Sequence, residues 1–336
     1  MFKTFDPRQL AHAPVQEIHN GSWAEHAEKT RRAEIIVERL GDFHVAEDFG
    51  MEPLRRIHTD EYLGFLQSAH RDWIAAGRSG DAIGYAWPVV GRRNIRLDRI
   101  DARLGRYSYD ASTPITAETW DAAYWSAQTA LTALAPLLKG EERNAFGLCR
   151  PPGHHSGADY LGGYCYLNNA AIAAATAADA GCKVAILDID YHHGNGTQDI
   201  FLDRGDIFFA SIHADPATDY PFFWGHADET GIGAGKGATL NLPLPQGTRG
   251  PAYLDALKQA LDAIPRWDAD FLIVSYGADT FDEDPISKFA LRRDDYPVIA
   301  REIAGLGLPC LIVMEGGYAV DALGENVAAF LSGFSS

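Results

Sequence analysis

The chain has 336 residues, of which 46% are hydrophobic and 22% charged, with a formal net charge of −17. That apolar fraction can build a large core, which excludes a disordered chain. The acidic balance speaks against nucleic acid as a partner, since phosphate repels such a surface, and favours cationic ligands.

The first ten residues, MFKTFDPRQL, carry no apolar signal-peptide core, and the longest alanine-rich run, residues 170–180, is too short and too weakly apolar to span a bilayer. The expectation is a cytoplasmic protein with no membrane partner. The first hundred residues are polar and read as mostly helical, with apolar residues at helical spacing over 25–40 and 60–76. Residues 77–114 are irregular and hold Tyr85, Trp87, Tyr107 and Tyr109 among Gly, Pro and Arg. A loop of that length in a compact domain is usually functional or an oligomer contact. Thr116 is then positioned to cap a long helix that ends at Lys139-Gly140.

From Asn144 the pattern changes. The runs AFGLC (145–149), VAILDID (184–190), IFFASIH (207–213), ATLNLPL (238–244), FLIVSYG (271–277) and LPCLIVM (308–314) alternate with helical segments. Continuous apolar runs separated by helices predict a mostly parallel central sheet with helices on both faces, an α/β class. The length allows two domains or one large α/β domain. Cys149, Cys165, Cys182 and Cys310 form no CxxC pair and read as reduced core residues.

In open parallel sheets, ligands bind beyond the carboxyl ends of the strands. Those ends carry Arg150-Pro-Pro-Gly-His154-His155, Asp188-Ile-Asp190-Tyr-His192-His193-Gly-Asn195, Ala278-Asp279 and Glu315-Gly-Gly-Tyr318. In an extended chain Asp188, Asp190 and His192 point to one side. An Asp-x-His pair with a distant Asp makes three protein ligands and leaves a position open, the arrangement of a catalytic zinc site. The alternative is a set of capping carboxylates and solvated histidines, and Asp279 at another strand end favours the metal. Set above a metal, His154 and His155 suit a proton-transfer couple, one kept charged by a carboxylate such as Asp188 and the other acting as base, with Asn195 orienting its ring. Gly316-Gly317 reads as a flexible turn that lets the Tyr318 phenol swing toward the site.

Together RPPGHH, DIDYHHGNGT, GADTF and EGGY closely resemble the arginase/deacetylase superfamily, in its histone deacetylase and acetylpolyamine amidohydrolase branch. The match runs in order from about His19 to the C-terminus. It implies a single deacetylase domain over 1–336, with a long insertion loop at about 77–114. It implies Asp190, His192 and Asp279 as ligands of Zn²⁺, with Fe²⁺ or Co²⁺ as alternatives, His155 as general base, His154 as its electrostatic neighbour paired with Asp188, and Tyr318 as donor to the acetyl carbonyl. Asp188 and Ser211, with backbone carbonyls of Asp190, His192 and Ile212, match a structural K⁺ site. Tyr164 matches one wall of a substrate tunnel, Tyr220 or Phe222 the opposite wall, and Asp110 a rim carboxylate. The segment 26–32 lacks the two prolines of the family's pattern, which leaves Arg32 without an assignment.

Residues 279–289, the Met-Glu-Gly-Gly-Tyr run and Tyr85-Ala-Trp-Pro-Val89 resemble the acetylpolyamine amidohydrolases, in which the insertion builds a homodimer contact that narrows the entrance. The implied activity is removal of acetyl groups from small cationic acetylated amines. The alternatives are a lysine deacetylase acting on proteins or peptides, and a non-catalytic amine-binding protein. Asp282, Glu283 and Asp284 read as a solvated acidic turn.

Overall fold

A computed structural model describes residues 1–89 and 96–335. Seven strands form one sheet: β1 (Phe2–Thr4), β4 (Asn144–Gly147), β5 (Val184–Asp188), β6 (Ile207–Ala214), β7 (Thr239–Leu244), β8 (Phe271–Tyr276) and β9 (Cys310–Met314). Their order is β1-β4-β9-β8-β5-β6-β7. Every neighbouring pair is parallel. The remaining strands, β2 (Gln16–His19) and β3 (Ser22–Glu25), pair antiparallel as a separate hairpin.

The unbroken apolar runs serve two cores at once, because side chains alternate across a strand. Ile186, Ile273 and Leu311 face a core shared with the helices Asp60–Ala75, Thr119–Leu138 and Asn169–Asp179. Leu187, Leu272 and Ile312 face a core shared with Arg31–Leu40, Gly250–Arg266, Tyr296–Ala304 and Val320–Ser332. The predicted α/β class, with helices on both faces, is the observed one. All four cysteines are free, and three of them are buried.

The N-terminal quarter corrects the helical reading. β1 joins the sheet edge beside β4, the hairpin takes residues 16–25, and of the span 25–40 expected to be helical only Arg31–Leu40 is. Asn20 and Gly21, with φ of 49° and 76°, form the hairpin turn. An Asn-Gly pair is a strong local hairpin signal, because both residues tolerate positive φ. Thr116 is not the cap of the long helix, which starts at Thr119; its hydroxyl accepts from the Glu118 N–H. The irregular stretch 77–114 contains a helix, Ile100–Tyr107, and its residues 90–95 lie outside the described residues.

β5 and β8 are adjacent although β6 and β7 separate them in sequence. Chain order reverses at that point, where an open α/β sheet leaves a crevice above its strand ends. No helix among the described residues is long and apolar enough to cross a membrane.

Candidate active site

The β5 and β8 ends bring Asp190, His192 and Asp279 together. One donor atom from each lies within 4.8 Å of the other two. His192 Nδ1 stands 3.1 Å from Asp279 Oδ2 and 3.3 Å from Asp190 Oδ1. Backbone amides hold the carboxylates: Gly316 N donates to Asp190 Oδ2 at 2.8 Å, and Tyr191 N to Asp279 Oδ1 at 3.0 Å. A Cβ at Gly277 would fall 2.0 Å from Asp190 Oδ2, and one at Gly316 2.5 Å from Asp279 Oδ2. Both glycines are therefore needed for close approach of the backbone to the cluster. Burial and the charge of Asp190 push the Asp279 carboxyl above its ordinary value. Two fully buried carboxylates in contact with one imidazole suit a divalent cation, which relieves their repulsion.

Asp188 does not join this cluster, despite sharing the alternation of Asp190 and His192. The strand ends there, and its carboxylate turns to His154, with Oδ2 3.0 Å from Nδ1, while Oδ1 accepts from Asp190 N. Burial opposes a charge on His154, but Asp188 and Asp190 outweigh it and raise the imidazole to about 10. His155 differs. Burial, then the charges of His154 and His192, hold it well below its ordinary value. Its Nδ1 lies 2.7 Å from Asn195 Oδ1, an acceptor, so Nδ1 carries the proton and Nε2 keeps its lone pair. The two rings sit 4.0 Å apart with opposite charge preferences.

A cleft of about 230 Å³ is lined by His155, His192 and Tyr318 together with Tyr164, Tyr220, Phe222 and Ile286. Both candidates for the second wall line it. Tyr220 packs edge-on over His155 at 5.2 Å between centroids, whereas Phe222 is half exposed at the rim. Tyr164 packs against Tyr318 at 5.7 Å, and its hydroxyl donates to Glu17 Oε1 of the hairpin at 3.1 Å. Asp110 braces these walls, accepting from Gly163 N at 2.7 Å and from the Tyr220 hydroxyl at 2.9 Å.

The Tyr318 turn is pinned rather than flexible. Arg32 donates to the carbonyls of Gly317 and Glu315, each at 2.6 Å, and its guanidinium lies 4.7 Å from the centre of the Tyr318 ring. Glu28, between Arg32 and Arg150, completes this buried brace. Asp284 accepts from the backbone of Tyr318 at 2.6 Å and of Ala319 at 3.1 Å. It is buried, unlike exposed Asp282 and Glu283, so the solvated acidic turn is corrected at that one position. Burial raises the Tyr318 phenol well above its ordinary value, which keeps it a donor. Glu315 accepts from Gly153 N and His154 N and so fixes the histidine doublet. Sequence alone gives Glu17 and Glu315 no role, leaves Arg32 unassigned and reads Asp284 as solvated. The Arg32 position in the family pattern and the acidic residue before Pro285 were the available signals.

The histone deacetylase domain model matches residues 26–334. The chain belongs to the histone deacetylase family. It is thus a metal-dependent amidohydrolase of that family, and the buried Asp₂His cluster is its candidate metal site. It is 50% identical to acetylpolyamine amidohydrolase 2 of Pseudomonas aeruginosa, over 98% of this chain and 97% of that one. It is 46% identical to the acetylpolyamine amidohydrolase of Mycoplana ramosa, over 94% of each. The crystal structure of acetylpolyamine aminohydrolase from Burkholderia pseudomallei superposes with a TM-score of 0.96 at 38% identity, covering 100% of this chain and 99% of that one. These similarities place the whole family architecture on this chain.

Proposed function

We propose that this family member hydrolyses small cationic acetylated amines, acetylpolyamines such as acetylputrescine, acetylcadaverine and acetylspermidine, to acetate and the free amine. The observation that carries the reading is a narrow aromatic cleft ending on the Asp₂His cluster, with two histidines of opposite charge preference and a phenol beside it. The high identity to relatives named for acetylpolyamines supports the substrate class. The net charge of −17 favours the approach of a polycation.

Asp190, His192 and Asp279 would hold Zn²⁺, or Fe²⁺ or Co²⁺ in its place, since the donor set accepts all three. Such an ion supplies positive charge that polarises an amide carbonyl and acidifies a water. His155, with its free Nε2 lone pair, takes the proton of the attacking water. His154 stays charged against Asp188 and stabilises the negative charge that develops. The Tyr318 hydroxyl donates to the acetyl oxygen as it becomes an oxyanion. The protonated histidine then delivers a proton to the leaving amine, because an amine anion is a poor leaving group. Tyr164, Tyr220 and Phe222 clamp the methylene chain and exclude water.

Asp188 and Ser211 face each other in register on β5 and β6, both fully buried. With the backbone carbonyls of Asp190, His192 and Ile212, they are our candidates for a structural K⁺ site. We further propose a homodimer through the insertion, where Tyr85 and Val89 are 65% and 67% exposed.

The test is acetate release by metal-loaded protein across acetylated diamines, polyamines and an acetyl-lysine peptide. Turnover of the amines well above the peptide is expected. A peptide cleaved far faster would make the protein a lysine deacetylase, and binding without acetate release would make it an amine-binding protein.

A further inference from the structure

A slender acetylated diamine is neutral at the amide and charged at its far end. Within one chain, recognition of that charge falls to the residues between the cluster and the mouth. Among the described residues lining the cleft there is no lysine or arginine, and there is a single carboxylate, Asp219. It lies in the segment after β6, beside Thr218 and just before the wall residues Tyr220 and Phe222.

The carboxylate is fixed but not neutralised. Its Oδ1 accepts from the Tyr191 hydroxyl at 2.8 Å, and its Oδ2 accepts from Thr218 Oγ1 at 2.9 Å and Gln246 Nε2 at 2.8 Å. All three donors are uncharged, so they orient the group without forming an ion pair with it. Tyr191 is itself fixed by the site, since its N–H donates to Asp279. The backbone carbonyl of Asp219 also accepts from Phe222 N at 3.1 Å, which ties the anion to the aromatic rim.

We propose that Asp219 is the specificity-determining residue that receives the distal ammonium of the substrate, an assignment that rests on the acetylated-amine reading above. The methylene chain lies between Tyr164 and the Tyr220–Phe222–Ile286 side, and the ammonium meets the carboxylate at the lip. A charge-assisted hydrogen bond in a partly desolvated cleft is stronger than its counterpart in water.

The experiment compares two acetamides of equal chain length, N-(4-aminobutyl)acetamide and uncharged N-pentylacetamide, as the ratio of their kcat/KM values on the metal-loaded protein. The unaltered protein is expected to favour the charged compound by at least about tenfold. Asp219→Asn should lower that ratio about tenfold, through a higher KM for the charged compound and not through kcat. Should Asp219→Asn fail to fold, Asp219→Ser is read in the same way. An unchanged ratio, or an equal loss on both compounds, overturns the assignment and leaves the acetylated-amine reading standing. Failure of that reading shows in the unaltered protein, which would then cleave an acetyl-lysine peptide in preference to both amides, and the assignment would fall with it.

Discussion

Arg32 and Asp284 both fix the Tyr318 backbone, Arg32 through the carbonyls of Glu315 and Gly317 before it and Asp284 through the N–H groups of Tyr318 itself and Ala319. A phenol held this way is preorganised: it need not be gathered from solvent when charge develops on the substrate oxygen. Tyr318→Phe is therefore expected to lower kcat by about 10²–10³-fold while KM changes little, measured as acetate release at saturating metal. Near-native turnover would remove the hydroxyl from the mechanism. His155→Ala should be similarly impaired, with metal content, read by elemental analysis, unchanged, because the ring faces Asn195 and the cleft and is not part of the Asp190–His192–Asp279 cluster.

The strand ends and the turns that leave them form the next level. β5 and β8 lie side by side, so Asp190 and Asp279, 89 positions apart in the chain, become neighbours. The turn after β9 then passes so close beneath both that Gly316 N–H reaches Asp190. Gly316→Ala places a methyl 2.5 Å from Asp279 Oδ2 and 2.6 Å from Asp190 Oδ2, nearer than Cβ atoms approach oxygen. The expected outcome is at least about a tenfold loss of metal affinity, read by titration with a chelating dye, because displaced carboxylates bind metal poorly. The hairpin β2–β3 is the other element with a direct bearing on the cleft. It carries Glu17 to the Tyr164 hydroxyl and presents His19 and Asn20 at the mouth.

At the scale of the whole molecule, many buried histidines make stability pH-dependent. His58 accepts the Asn168 N–H through Nε2, tying the segment before the helix Asp60–Ala75 to the start of Asn169–Asp179. Burial lowers its imidazole to about 4. An unfolded histidine titrates near 6.5, so between those values the unfolded chain binds more protons and stability rises with pH. The contribution is complete above about 6.5 and is lost as pH falls toward 4, on the order of 3 kcal/mol. His26, also lowered to about 4 by burial, acts in the same direction. Urea unfolding between pH 7 and pH 4 should show this loss, and His58→Gln, which keeps an acceptor without a titrating ring, should flatten part of the slope. Removing the metal should also lower the melting temperature, since a ligand bound only by the folded state stabilises it, and calorimetry with and without a chelator checks this.

The sheet was legible because its strands are apolar on both faces, a pattern that local chemistry alone produces, and the chemical residues clustered where those runs stopped. The hairpin was hidden because short polar strands carry little periodicity, although Asn20-Gly21 announced the turn. The roles of Arg32 and Asp284 were not legible, since a charged residue in a polar segment looks the same whether it is solvated or buried against a backbone amide. Sequence by itself determined the α/β class, the family and the set of groups available for chemistry. Tertiary structure alone decided which carboxylate meets His192 and which meets His154, how tightly the phenol is held, and that Asp219 lines the cleft, because each depends on strand order and close backbone approach between segments far apart in the chain.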